Sequence, residues 1–299
     1  MLYPQGLRLG RERFCEWARA ALSRSGANQR GAPVNRLTLF AKGNLDLRDS
    51  LHSLRLGGAV AWNGVNEIVR ERRPGWTVRL RHETWTRSDA LLEANGVVPA
   101  ELAARNPTLE SHPAATQFSP AVFETDADAI LLSIQPDLMV SLVRSRRDGY
   151  LLMPSGWSQW GQEDRDWIRA NFDSTPMLDA SQSMRNFFRI VERIRASTAA
   201  PILIYNLSSV VPGEQIHSHP GMEESFSTRI RQFNLGLIEL SQKTGISVID
   251  VDAILARAGA DRLKLDAVHL TAEGCRLVAG EVVRVLEDLG LFEPREARP

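Results

Sequence analysis

An aspartate and a histidine three residues apart, Asp266 and His269, are the side chains of this sequence best suited to proton transfer. Near neutral pH a histidine takes a proton from a hydroxyl group, provided that a carboxylate fixes its tautomer and stabilises the imidazolium that forms. Thr271 has the residue type of a helix N-cap and Glu273 that of a first-turn acid, so a helix is expected to begin directly after the pair. The sequence therefore predicts an acid–base pair on a rigid loop, and the alternative is two ordinary solvated side chains.

Five short apolar runs, separated by helical patterns, recur along the chain. Continuous apolar strands that alternate with amphipathic helices are typical of a parallel sheet covered on both faces and joined by right-handed crossovers. We therefore predict an α/β protein, a three-layer α/β/α sandwich around a five-stranded parallel sheet, with functional loops at the carboxyl ends of the strands. The predicted strands are residues 37–41, 76–80, 129–134, 201–205 and 246–251.

Two regions fall outside this alternation. Residues 1–33 contain one arginine-rich helical pattern and a linker, which we interpret as an N-terminal helical arm. Residues 141–180 form an insertion after the third strand. It is either a lid over the site or a structural segment whose tryptophans pack against the core. The predicted α/β domain spans residues 34–292, and residues 293–299 form a C-terminal tail.

Composition narrows the classes of partner and cofactor. The 36 basic residues balance the 36 acidic residues, so the net charge favours neither nucleic acid nor an anionic membrane as a partner. Cys15 and Cys275 are the only cysteines, and no long apolar run or secretion signal is present, so we expect a cytoplasmic protein. No strand is followed by a glycine-rich phosphate loop, and we expect no cofactor. The oligomeric state stays open.

The residues around the Asp266–His269 pair resemble the closing sequence block of the SGNH/GDSL hydrolases. In that block Asp-x-x-His-Leu-Thr precedes a glycine and the last helix, and this chain has DAVHLTAEG. The preceding segment, FNLGLIELSQKTGISVIDVDAIL, is similar to the helix, turn, buried strand and short helix of the same family. The resemblance implies a flavodoxin-like fold of the SGNH-hydrolase type, with His269 as general base and Asp266 as its orienting carboxylate.

The resemblance also implies a serine after the first strand, and two alignments compete for it. One places Gly43, Asn44 and Leu45 on the family's Gly-Asp-Ser turn, which leaves no serine there. The other places Ser50 at the nucleophile position and Arg48 at the glycine position, where an arginine resists a positive φ angle. We take Ser50 as the predicted nucleophile, and the alternative is that it is a helix N-cap or that the nucleophile is absent.

The groups that would stabilise an oxyanion or bind substrate are expected in the loops after the first three strands. The resemblance places Gly43 and Asn44 after the first strand and Thr84 after the second. After the third strand the family has Gly-x-Asn-Asp, whereas this chain has Gln135 followed by Pro136, which has no N–H to donate. The predicted donor in that loop is therefore the side-chain amide of Gln135.

Two other clusters are weighed against this site. His217 and His219, in a loop rich in glycine and proline, are a possible metal site together with Asp266 and His269, but no carboxylate motif supports it and we expect no metal. A second cluster follows the second strand and is a candidate for substrate contact. Its members are His82, Glu83, Trp85, Arg87 and Asp89.

Together these patterns favour ester chemistry. We expect an SGNH-like ester hydrolase or O-acyltransferase that works through a serine acyl-enzyme on a small-molecule or carrier-linked ester. The alternative is a catalytically inactive SGNH-like module kept for binding or assembly, because the nucleophile and oxyanion blocks differ from the family pattern.

Overall fold

The computed structural model describes residues 35–56, 59–110, 112–214 and 224–293. Within these ranges ten strands and twelve α-helices follow one another along the chain. The strands are β1 (Asn35–Lys42), β2 (Leu54–Leu56), β3 (Ala59–Trp62), β4 (Trp76–Glu83), β5 (Ala129–Ser133), β6 (Val143–Ser145), β7 (Leu151–Leu152), β8 (Phe172–Ser174), β9 (Ile202–Tyr205) and β10 (Ser247–Ile249). The helices are α1 (Leu45–Leu51), α2 (Val65–Arg72), α3 (Ser88–Glu93), α4 (Ala100–Arg105), α5 (Ala114–Gln117), α6 (Gln135–Met139), α7 (Gln162–Asn171), α8 (Ala180–Arg195), α9 (Phe226–Thr244), α10 (Val251–Ala258), α11 (Ala260–Leu263) and α12 (Ala272–Asp288).

The central sheet consists of five parallel strands in the order β10-β9-β5-β1-β4. Counted along the chain, this is the 2-1-3-4-5 order of flavodoxin-like folds. Each predicted apolar run contributes one strand, and β5, with the sequence AILLS, is buried along its whole length. A central strand covered on both faces requires such a continuous apolar run. The predicted five-stranded parallel sheet is therefore confirmed.

Helices cover both faces of this sheet. Side chains of β1 alternate between the two faces, so that Leu37 and Leu39 join one apolar cluster and Phe40 joins the other. The first cluster includes apolar residues of α2, α10 and α12. The second includes apolar residues of α8 and α9. The predicted three-layer α/β/α arrangement is confirmed, and it leaves the strand ends as the places where loops carry functional side chains.

The insertion after β5 contains more regular structure than its sequence indicates. Strands β6, β7 and β8 form a small antiparallel sheet, and α7 lies between β7 and β8 in the chain. Trp160 and Trp167 are buried in a separate apolar cluster with Leu102 and Phe118, which precede β5 in the chain. These tryptophans therefore hold the insertion by packing, while its role as a lid stays a prediction.

Several predictions concern residues outside this description. Residues 1–33, the predicted N-terminal arm, and residues 294–299 of the predicted tail lie outside the described ranges. Their boundaries stay predictions. Among the described helices, none combines the length and the apolar character needed to cross a membrane.

Candidate active site

The loops at the carboxyl ends of the central strands meet the segment that carries Asp266 and His269. This segment is closed by an antiparallel bridge between Lys264 and Leu270, and the N–H of Leu265 donates to the carbonyl of His269 (2.9 Å). A small cavity at this edge is lined by residues from several of these segments. They include Asp46 after β1, Asn206 and Ser208 after β9, and Ala267 and Val268 of the histidine loop. The fold therefore brings the predicted acid–base pair to the sheet edge where β1 ends, as predicted.

Asp266 and His269 make the predicted contact. Nδ1 of His269 lies 2.7 Å from Oδ2 of Asp266, and Oδ1 of Asp266 accepts the backbone N–H groups of Val268 (2.9 Å) and His269 (2.8 Å). With Asp266 ionised, Nδ1 donates the proton and Nε2 keeps its lone pair. The side chain of His269 is 35 % exposed, and Nε2 makes no hydrogen bond to a described residue. Within the described residues, the lone pair of Nε2 is therefore not used by another hydrogen bond.

The carboxyl group of Asp266 is held in its ionised form. Partial burial acts to raise its pKa, but the hydrogen bonds from the N–H groups of His269 and Val268 and from the imidazole outweigh this effect, and the pKa of Asp266 lies below its ordinary value. An ionised Asp266 can both fix the tautomer of His269 and stabilise the imidazolium that forms when Nε2 takes a proton.

The start of α12 fixes the position of the pair. The hydroxyl of Thr271 accepts the N–H of Gly274 (3.3 Å), so Thr271 is the predicted N-cap. A Cβ atom on Gly274 would lie 3.0 Å from the carbonyl oxygen of Leu263. A larger residue at Gly274 would therefore require a shift of a few tenths of an ångström at this close contact between α12 and the end of α11.

The turn after β1 follows the first of the two alignments. Helix α1 begins at Leu45, directly after Gly43 and Asn44, so Leu45 occupies the first helical position. The side-chain oxygen of Asn44 accepts the N–H of Trp85 (3.2 Å) and a hydrogen bond from Nε2 of His112 (3.2 Å). The N–H of Gly43 donates to the carbonyl of Glu83 (3.2 Å), as in a continuing strand. A leucine thus stands where the resemblance places a serine.

Ser50 lies in the last turn of α1 and is fully buried. Its hydroxyl donates to the carbonyl of Asp46 (2.8 Å) and lies 3.3 Å from the hydroxyl of Tyr205. The alternative interpretation of Ser50 as a helix N-cap is wrong, because Asn44 precedes the helix. Its predicted role as nucleophile stays a prediction, and the burial of the hydroxyl argues against it because an ester must reach that oxygen.

The two other predicted donors also have partners within the protein. The hydroxyl of Thr84 lies 2.9 Å from that of Thr116. Gln135 is 3 % exposed, and the nitrogen of its side-chain amide lies 3.7 Å from the sulfur of Met139. The backbone N–H of Gln135 donates to the hydroxyl of Ser133 (3.0 Å). Neither side chain is presented to solvent as a free oxyanion donor, so their roles stay predictions that these contacts do not favour.

Buried carboxyl groups occur beside the site, and sequence reasoning did not identify them. Asp46 accepts a hydrogen bond from the hydroxyl of Ser133, which links α1 to the end of β5. Asp137 accepts the N–H of Ser88 (2.7 Å) and the hydroxyls of Ser88 (2.5 Å) and Ser183 (2.6 Å). Burial raises the pKa of each carboxyl to about 6. No local motif marks them, since their partners lie far away in the sequence.

The cluster after β4 is mostly structural. Arg87 is 1 % exposed and its guanidinium binds both carboxylate oxygens of Asp89 (2.9 and 2.7 Å), while Glu83 pairs with the buried Lys42 (2.7 Å). His82 donates from Nε2 to the carbonyl of Gly43 (2.9 Å), and burial lowers the pKa of His82 to about 4. The contacts of His82 and Glu83 brace the end of β1 and the turn that follows it, whereas the buried Arg87 binds Asp89, and substrate contact by this cluster stays a prediction.

The metal alternative has no support in the part of the chain that the structure describes, where no group of three or more His, Cys, Asp or Glu side chains is arranged to hold an ion. His217 and His219 lie outside the described residues.

Comparisons with known proteins give structural resemblances only. No family model matches the chain, and no curated protein matches it. A member of the lipolytic G-D-S-L family from Veillonella parvula DSM 2008 has a TM-score of 0.44 and 15 % identity, covering 85 % of this chain and 100 % of that one. A putative SGNH hydrolase from Slackia heliotrinireducens has a TM-score of 0.46 and 13 % identity, and the match covers 84 % of this chain and 100 % of that one. Axe2, an acetylxylan esterase from Geobacillus stearothermophilus, has a TM-score of 0.45 and 13 % identity, and the match covers 85 % of this chain and 95 % of that one.

Proposed function

We propose that this protein acts on esters, by hydrolysis or by transfer of the acyl group to a hydroxyl acceptor, with His269 as general base and Asp266 as its orienting carboxylate. The observation that carries the proposal is the 2.7 Å contact between Nδ1 of His269 and Asp266 in a histidine side chain that is partly exposed. A carboxylate-oriented imidazole at the carboxyl end of a parallel sheet is suited to deprotonate a hydroxyl group. The substrate is a small-molecule or carrier-linked ester.

The hydroxyl group that His269 activates belongs to water or to the acceptor alcohol. Ser50 is buried and Leu45 occupies the first position of α1, so a serine acyl-enzyme is the less favoured route. In the proposed step Nε2 takes the hydroxyl proton while the oxygen attacks the ester carbonyl carbon. The imidazolium, stabilised by Asp266, then returns the proton to the leaving alkoxide as the carbon–oxygen bond breaks.

A second candidate, a binding or assembly module without catalysis, is favoured by a specific observation. The predicted oxyanion donors Thr84 and Gln135 both contact protein atoms instead of the site. The loss of one oxyanion donor costs roughly two to three powers of ten in rate. A chain without such donors would retain the fold and the loop geometry for recognition alone.

The test combines turnover of p-nitrophenyl acetate with labelling by a fluorophosphonate probe, which reacts covalently only with an activated serine. The variants are His269→Ala, Asp266→Asn and Ser50→Ala, with the wild-type protein as reference. Turnover that is lost in His269→Ala, without any probe labelling, supports the proposal. Labelling that disappears in Ser50→Ala supports the acyl-enzyme instead, and equal turnover in wild-type protein and His269→Ala refutes both and leaves the binding module.

A further inference from the structure

Lys264 is a buried lysine beneath the histidine loop. Its side chain is 6 % exposed, and its ammonium donates to the backbone carbonyls of Ser208 (3.1 Å) and Ala267 (3.1 Å). Ser208 lies just after β9, whereas Ala267 lies between Asp266 and His269 in the loop. One ammonium group therefore connects the sheet edge to the segment that carries the acid–base pair.

Ala267, Val268 and Leu270 pack against the apolar clusters of the domain, whereas the other backbone hydrogen bonds of the loop are made mainly within the loop and to the adjoining end of α11. Lys264 faces Leu270 across an antiparallel bridge, and the N–H of Thr271 donates to the carbonyl of Leu263 (2.8 Å). These backbone bonds set the shape of the loop but not its position over the sheet. The ammonium of Lys264 adds a hydrogen-bonded contact between the loop and the segment after β9.

We propose that Lys264 is a positioning residue for the acid–base pair, which holds the loop against the carboxyl end of β9 so that Nε2 of His269 keeps a fixed place at the site. Only the expected effect of Lys264 on turnover rests on the proposed function. The expected effect of Lys264 on the geometry of the loop is independent of any activity.

The energetics of burial support this role. Burial lowers the pKa of Lys264 to about 8, although the carboxylates of Asp252, Asp266 and Glu214 act to raise it. An apolar side chain would fill this interior space without the desolvation penalty of an ammonium. A buried cation beside a candidate site is therefore better explained by what it positions than by the stability that it contributes.

The test uses Lys264→Met, which keeps the length of the side chain and removes its donors. The matched control is Lys243→Met, the same change at an exposed lysine of α9. We expect the side-chain ¹⁵N shifts of His269 to change and the exchange of the Leu265 amide hydrogen to accelerate by about tenfold or more in Lys264→Met alone. Where turnover is measurable, we expect kcat to fall by about tenfold or more while KM changes by less than about threefold.

The pH dependence separates positioning from general packing. In the wild-type protein the ¹⁵N shifts of His269 should show a step as Lys264 loses its proton near its lowered pKa, and Lys264→Met should lack this step. Lys264→Gln, which keeps an amide donor, is the second variant if the methionine variant does not fold. Unchanged His269 shifts and unchanged Leu265 exchange in a folded variant would overturn the proposal. A changed loop without turnover in any protein would retain it while refuting the proposed function.

Discussion

At the scale of single residues, the structure distinguishes polar side chains that reach solvent from those that are buried within the fold. His269 is partly exposed, whereas Ser50 is fully buried and its hydroxyl has the carbonyl of Asp46 as its acceptor. Both have residue types that perform nucleophilic or base catalysis. Burial and hydrogen bonding assign them to different tasks, and each assignment can be measured.

Ser50→Ala should leave most turnover intact and destabilise the protein by about 1 to 2 kcal/mol. The substitution removes the hydrogen bond to the carbonyl of Asp46 and leaves the buried hydroxyl of Tyr205 without this partner. Melting temperature and turnover of the variant test both statements. The control is Ser53→Ala, at an exposed serine between α1 and β2, for which no change in melting temperature or turnover is expected. Loss of turnover without loss of stability in Ser50→Ala would instead return Ser50 to the mechanism.

Asp266→Asn should reduce kcat by about two powers of ten or more with little loss of stability. An asparagine oxygen can still accept the N–H groups of Val268 and His269, but the neutral amide does not stabilise an imidazolium. Steady-state kinetics of the variant provide the measurement. Asp261→Asn, an exposed aspartate of α11, is the matched control and should behave as the wild-type protein. Equal kcat in the two variants would argue against the acid–base pair.

At the scale of secondary-structure elements, buried polar contacts connect helices that are distant in the sequence. Asp137 of α6 binds Ser88 of α3 and Ser183 of α8. These three short contacts fix the mutual position of helices around the end of β5. The same principle holds at α1, where Asp46 binds Ser133 at the end of β5.

Asp137→Ala should destabilise the protein by about 3 kcal/mol or more. The substitution leaves the buried N–H of Ser88 and two buried hydroxyl groups without their acceptor. Urea unfolding provides the free energy. Asp126→Ala, which breaks the exposed pair with Arg81, is the control and should change stability by less than about 1 kcal/mol. Similar losses in both variants would show that Asp137 does not organise these helices.

The elements and the acid–base pair could be predicted from the sequence because each has a local pattern. Apolar runs give the strands, and the spacing of Asp266 and His269 within one loop gives their contact. The contacts of Asp137 could not be predicted, since Ser88 and Ser183 are remote in sequence and an aspartate before a leucine has no distinctive pattern. The burial of Ser50 could not be predicted, because α1 begins at Leu45, directly after Asn44, and this start places Ser50 in the last turn of the helix.

At the scale of the whole molecule, burial of ionisable groups makes stability depend on pH. Asp46 and Asp137 have pKa values of about 6, raised by burial from 3.8, whereas burial lowers the pKa of His82 to about 4 from 6.5. The carboxyl groups bind protons more tightly in the folded state, and the imidazole binds them more weakly. The two effects have opposite signs within the same pH range.

The sign of each contribution predicts how variants will respond to pH. The contribution of Asp137 is fully present below pH 3.8 and is lost as the pH rises through about 6, by on the order of 2 to 3 kcal/mol. The contribution of His82 is present above pH 6.5 and is lost as the pH falls through about 4. Relative to the wild-type protein, Asp137→Asn should therefore gain stability as the pH rises from 3.8 to about 6. His82→Gln should lose stability relative to the wild-type protein as the pH rises from about 4 to 6.5. Urea unfolding at several pH values measures both slopes independently of each variant's overall stability. Parallel pH profiles for the wild-type protein and both variants would show that neither group titrates differently in the folded and unfolded states.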